Sequence, residues 1–398
     1  MHRVLTFCLI PSALFVTTLV AACSNDASSS SISPSVGLVL RTENGARAAG
    51  TDVEFSYAAN FGSNSISAYA IDAKSGALKA VAGSPFGTGA GPTGLIVDPK
   101  GRFAYVPNDG SGNISGFQID AKSGALKPVT GSPFSAGNRP YFGAVDPSGK
   151  FAYVANNTDG DVSAYQIDAK TGALKQITGS PFGAGTYPDG VAIDPKSGFA
   201  YVANDGSDNV YAYKISSASG ALTPIAGSPF TAGTQPYFVT VAPSGKFAYV
   251  ANFGSDNISA YAIDATTGVL KAVKGSPFAT GSQPYGLTVD PSGKFLYVPS
   301  NGSNEVFGYS INVGTGALKA VTGSPFGAGT NTDGAAIDPL GKFLYAANNS
   351  SNNVSAYTIE ATNGALKEVA GSPFASGSGP YLMSTCRQVG STCVPPPL

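Results

Sequence analysis

Short runs of alternating apolar and polar residues fill the chain from residue 53 to residue 388, and they return at a fixed interval. In one clear copy the runs are "PDGVAID" (188–194), "FAYVAN" (199–204), "NVYAYKI" (209–215) and "ALTPIAG" (221–227). Each is short, rich in β-branched or aromatic residues, and bounded by turn formers. This is the pattern of four strands, a to d, joined by tight turns. The a–b turn reads "DPSG" in several copies, with Pro second and Gly last. No stretch has the 3.6-residue period of a helix. The Phe opening strand b stands at 55, 103, 151, 199, 247, 295 and 343, a step of 48 residues. The Gly of "GALK" and its variants keeps the same step from 76 to 364, and "GSPF" occurs seven times.

Four strands in a unit of this length make the blade of a β-propeller. One blade cannot bury both its faces, whereas seven in a ring can. The ends are in complementary phase. The chain enters at strand b, "FSYAAN" (Phe55–Asn60), and leaves on strand a, "PYLMSTC" (Pro380–Cys386). The expected fold is therefore all-β: a seven-bladed β-propeller of 48-residue four-stranded blades over residues 53–388. One C-terminal strand completes the N-terminal blade, which removes the open sheet edge. Residues 389–398 are a tail. The Phe, Tyr and Val of strands a, b and c, and the Phe of "GSPF", are the expected core between blades.

Composition narrows the function. Only 12% of residues are charged and the net charge is −1, which argues against nucleic acid, since that partner needs a basic face. Residues 1–22 have a short positive start, "MHR", and an apolar core too short for a comfortable span, as in a secretory signal peptide. They end in "LVAAC" (19–23), which resembles a bacterial lipobox with cleavage before Cys23 and lipid on its thiol. By resemblance to lipoprotein sorting signals, Ser24 favours the outer membrane, facing the periplasm or the surface. Residues up to 52 read as a flexible Ser/Ala/Gly-rich tether of roughly 30 Å. The only histidine, His2, would leave with the peptide. Cys386 and Cys393 form a C-x6-C pair, for which a local disulfide fits an oxidising compartment. Two thiols with no histidine make a poor metal set, so neither metal nor cofactor is expected. The loops "NNTDGD" (156–161) and "NDGSDN" (204–209) lack the spacing of a calcium loop.

The text "YVAN…NVSAY.ID…TGALK.V.GSPF..G..P.G…DPSGKF" resembles the seven-bladed lactonase-type propellers, related to the YVTN repeat and including 6-phosphogluconolactonase-like proteins. The resemblance covers residues 53–388 and implies a hydrolase acting on a sugar-type lactone at the channel mouth. Enzymes of the group are associated with His, Arg and Glu residues there. The ring here holds only Arg102, Arg139 and Arg387, so no complete catalytic set carries over.

The repeat supplies an internal control: positions equal in all blades are architectural, and departures are where a function can be written. The lysines gather at the a–b and c–d turns, as with Lys74, Lys122, Lys150 and Lys294, alongside Asp98, Asp146 and Asp290. That face reads as a mixed-charge, solvated surface. The opposite face, built from b–c and d–a loops, is almost uncharged. There the residue after the Pro opening strand a runs Thr93, Tyr141, Asp189, Tyr237, Tyr285, Asp333, Tyr381. Beside it stand Tyr187 and Arg139, and Asp161 and Glu305 replace a usual Asn or Ser in the b–c loops. Asp189, Asp333 and Arg139 are the candidate catalytic residues, with the acids as base on water and Arg139 polarising the carbonyl. Tyr141, Tyr187, Tyr237, Tyr285 and Tyr381 are the candidate ligand-binding residues. Two classes remain open. One is a lipid-anchored lactonase-family propeller, monomeric, acting on a small polar ligand. The other is a non-catalytic propeller that binds a ligand or an envelope protein.

Overall fold

The computed structural model describes residues 53–196 and 198–396. The expected signal peptide, Cys23 and the tether to residue 52 lie outside the described residues. Seven antiparallel sheets follow one another along the chain and form the expected ring. In blade 4, strands a, b and c are Pro188–Ile193, Phe199–Asn204 and Asn209–Ile215. Blade 1 joins the two ends of the ring. Its strand b (Glu54–Asn60) pairs with Pro380–Val389, placing Phe55 opposite Cys386 and Tyr57 opposite Ser384. The helical content among the described residues is one 3-10 turn, Asp205–Ser207.

Strand b supplies the joint between blades. Its Phe and Tyr both reach the c–d turn of the next blade. Tyr57, Tyr105, Tyr153, Tyr201, Tyr249 and Tyr297 each donate a hydroxyl to the carbonyl of the turn glycine one blade on, at 2.8–3.1 Å. Tyr345 closes the circle by donating to Gly76 O at 2.9 Å. The Phe ring lies on the same glycine. A Cβ added to Gly76 would meet the Phe343 ring at 2.4 Å, and its φ of +76° also disfavours a side chain. These tyrosines are essentially fully buried. Each junction encloses its own apolar cluster, such as Phe55, Tyr57 and Ile66 against Leu95, Val106 and Phe117.

The repeated "GSPF" completes strand d by an unusual route. Strand d is broken in two, so the expected run 221–227 holds a strand only at Leu222–Pro224, with a second piece at Phe230–Thr231. Both pieces pair with strand c. Between them the Ser–Pro peptide is cis in every blade. The serine hydroxyl then accepts the strand c N–H that has lost its backbone partner, as Ser180 Oγ does from Ala164 at 2.9 Å. All seven copies repeat this bond.

The a–b face differs from the solvated surface expected of it. Its lysines are exposed, but Asp98, Asp146, Asp194, Asp290 and Asp338 are buried. Each caps its own turn: Asp146 Oδ1 accepts the N–H of Lys150 at 2.8 Å and of Phe151 at 2.7 Å. In blade 1 this position is Cys386, which is disulfide-bonded to Cys393. The chain folds back at Thr392–Val394, and Cys393 N–H donates to Gly101 O of blade 2 at 2.7 Å.

Two substitutions test these joints. Ser180→Ala leaves the Ala164 N–H unpaired and is expected to lower unfolding stability by about 1–3 kcal/mol in a denaturant titration. Gly172→Ala drives a Cβ to 2.4 Å from the Phe103 ring at a φ of +75°. It is expected to cost at least as much, roughly 2–4 kcal/mol.

Candidate functional site

Strand a is the innermost strand, and its second residue points into the mouth of the channel. The hydroxyls of Tyr141, Tyr285 and Tyr381 meet there, drawn from three separate blades. The Tyr237 ring packs at 4.8 Å from Tyr285 and 4.9 Å from Phe253, and Phe61 lies 5.7 Å from Tyr381. Burial pushes the Tyr141 and Tyr285 phenols well above their ordinary range, so they are neutral donors at any ordinary pH.

Asp189 and Asp333 flank this tyrosine cluster, and both are buried. Each is held by an asparagine of the preceding blade. Asn157 Nδ2 donates to Asp189 Oδ1 at 2.7 Å, and Asn301 Nδ2 to Asp333 Oδ1 at 2.5 Å. A relay orients the second amide: Ser350 donates to Asn331 Oδ1 at 2.6 Å, and Asn331 Nδ2 to Asn301 Oδ1 at 2.8 Å. Asn301 is thus obliged to present its NH₂ to Asp333. Burial raises the Asp333 carboxyl to about 7, against the opposing hydrogen bonds from Asn301 and Asn349. Burial raises Asp189 well above its ordinary value, with Asp205 and Asp109 adding to the effect and Asn157 and Arg139 opposing it. The second oxygen of Asp189 is buried with no hydrogen-bond partner.

The other candidates lie elsewhere. Arg139 does not join the acids. Its side chain is 54% exposed and bonds Asp109 through Nε at 2.8 Å. Tyr187 is 47% exposed and stands on the loop rim, outside the tyrosine cluster. Asp161 takes an architectural role, accepting from Asn156 at 2.6 Å as Asn113 does from Asn108. Glu305 holds the equivalent register position, opposite Ser300.

A second column of candidate residues follows strand b directly: Phe61, Asp109, Asn157, Asp205, Phe253, Asn301, Asn349. These side chains complete the rim. The signal was present in the repeat, because this position differs from blade to blade as much as the strand a position does. A perturbed acid does not by itself mark the site. Glu54, at the closing seam on the opposite face, is raised to about 7 by burial and by Asp338, with Arg387 Nε at 3.9 Å. What distinguishes Asp189 and Asp333 is their place on one aromatic mouth. No group of three or more His, Cys, Asp and Glu placed to hold a metal occurs among the described residues.

Comparison with solved structures returns the same architecture. A candidate 6-phosphogluconolactonase from Bacteroides uniformis aligns with a TM-score of 0.73 at 18% identity, over 84% of this chain and 100% of its own. The periplasmic gluconolactonase of Pseudomonas aeruginosa aligns with a TM-score of 0.73 at 19% identity, over 87% of this chain and 100% of its own. At such identities the likeness is one of fold. No curated protein sequence matches the chain. The family model described as lactonase, 7-bladed beta-propeller, matches residues 37–142, 143–239, 226–333 and 287–381. With most of its length covered by that model, the chain belongs to the seven-bladed β-propeller lactonase family.

Proposed function

We propose that this protein binds a polyhydroxylated lactone at the tyrosine-lined mouth and hydrolyses it, with Asp333 as general base. The observation that carries the reading is the state of Asp333: a buried carboxyl near neutrality, its Oδ1 fixed by the Asn301 amide. A base poised near the working pH is the requirement for proton transfer from water. Ionised Asp333 takes a proton from water as the oxygen attacks the lactone carbonyl carbon. The ring C–O bond then breaks, and the departing oxygen takes the proton back, giving a hydroxy acid. The tyrosine hydroxyls, and Asp189 in its protonated form, which burial favours, donate to the carbonyl oxygen as it gains charge. The rings of Tyr237, Phe253 and Phe61 provide faces for a sugar-like ring. Named gluconolactonases among the structural neighbours agree with this substrate class.

One observation favours a binding propeller instead. Arg139, the cation whose charge favours ionised Asp189, is engaged by Asp109. The reading also carries the lipid anchor at Cys23, which would hold the ring at the cell envelope.

Hydrolysis is tested by proton release on a panel of aldono- and muconate-type lactones. Turnover is expected to rise as pH passes through about 7, and to fall at least 100-fold in Asp333→Asn. No turnover of any lactone by the parent would leave the binding reading. Replacing Cys23 by Ser is expected to move the protein from the membrane fraction to the soluble one.

Stability gives an independent check. The folded Asp333 binds its proton more tightly than the unfolded chain does, since its value is raised from 3.8 to about 7. The folded state therefore holds the extra proton between these values, and stability falls as pH rises through that window. Asp333→Asn removes the dependence. The variant is expected to match the parent near pH 4 and exceed it at pH 8, by at most about 4 kcal/mol.

A further inference from the structure

The junction of blades 3 and 4 departs from the repeat twice in one place. At the third position of strand c, Ser67, Ser115, Ser163, Ser259 and Ser355 accept a bond from the strand b asparagine of their own blade. The two remaining blades carry Tyr211 and Phe307. Phe307 is used internally: it lies over Gly281, where an added Cβ would come within 2.2 Å of the ring. Tyr211 is not. It lines an open groove of about 480 Å³, together with Tyr187.

Tyr187 is itself an unusual choice. Its backbone is left-handed, with φ of 51°. The same slot in the other blades holds Gly91, Arg139, Gln235, Gln283, Asn331 and Gly379. A bulky residue is disfavoured in this conformation. The ring lies along Gly206, whose missing side chain leaves room for it: an added Cβ would come within 2.6 Å. Neither tyrosine hydroxyl has a hydrogen-bond partner among the described residues. The hydroxyl-bearing Thr158 and Thr186 line the same space. Its one carboxylate, Asp159, is taken up by the N–H of Asn138 at 2.7 Å and its amide at 2.8 Å. No lysine or arginine lines the groove.

We propose that this groove is a glycan-binding subsite, separate from the channel mouth, which seats a neutral oligosaccharide on the faces of Tyr187 and Tyr211. An exposed ring, Tyr187, beside a half-buried one, Tyr211, with hydroxyls around them, suits a ligand that is apolar on its ring faces and hydroxylated at its edges. The absence of a cation in the lining argues against an anionic ligand, and the volume is that of an ordinary small-ligand site. The proposal does not depend on lactone hydrolysis.

The test is calorimetric titration of the purified protein with chitotetraose, cellotetraose and maltotetraose. The variants are Tyr211→Ser and Tyr187→Gln, each of which installs the residue other blades use at that position, so both retain the fold. At least one tetrasaccharide is expected to bind the parent with a Kd of millimolar or below, and at least tenfold more weakly in each variant. The proposal is overturned if none of the three binds the parent, or if binding is unchanged in the variants.

Discussion

The contact between strand b of one blade and the c–d turn of the next is the constraint on which the ring depends. A Phe ring and a Tyr hydroxyl converge on one glycine, and the same contact recurs at every junction, including the closing one from Phe343 and Tyr345 to Gly76. Each junction buries two aromatic side chains, an apolar gain of several kcal/mol before entropy is counted. A closed ring has no terminal repeat to cap, so the last junction must be as good as the first. An insertion in strand b or the c–d turn would displace one aromatic pair from its glycine. That accounts for strand b and the c–d turn being free of insertions within the 48-residue step.

The contact also divides the molecule into two unequal faces. The a–b and c–d face carries the glycine turns and the buried aspartate caps, so its sequence has little freedom. On the opposite face the loops need only a few hydrogen bonds, such as Gly185 N–H to Asn204 Oδ1 at 3.0 Å. Departures there are of two kinds. Asp161 still satisfies Asn156, so it preserves the architecture. Asp189, Asp333 and Tyr187 work against local stability, through buried carboxyls and a left-handed bulky residue. Sites where a chain breaks its own rule without structural gain are where function is to be sought.

Much of this was legible in the sequence because the repeat is so regular. Strand b and strand c of blade 4 end where the alternation ends, and the strand a column led directly to the tyrosine cluster. Strand d was misread because a serine hydroxyl replaces a backbone acceptor, and alternation carries no trace of that exchange. The "DPSG" aspartates looked like surface charge, since a one-dimensional pattern cannot show a carboxylate turned inward onto its own turn. The column after strand b was overlooked for a different reason. Its partners lie 32 residues on, across a junction, as Asn157 does from Asp189 and Asn301 from Asp333. Arg139 was assigned to the acids by its place in a d–a loop, yet Asp109 of the preceding blade holds it outward.

That overlooked column also sets the chemistry of the two acids. Asp189 and Asp333 occupy the same repeat position, are both buried, and accept from the same kind of amide. Their surroundings separate at the residue after strand b of their own blade. For Asp189 it is Asp205, a second carboxyl whose charge opposes ionisation. For Asp333 it is Asn349, an amide that donates to the ionised form. Burial raises both acids; the exchange of one terminal atom, oxygen for nitrogen, adds to that rise at Asp189 and opposes it at Asp333. The strand a column places two acids at the mouth, and the neighbouring column gives them different surroundings.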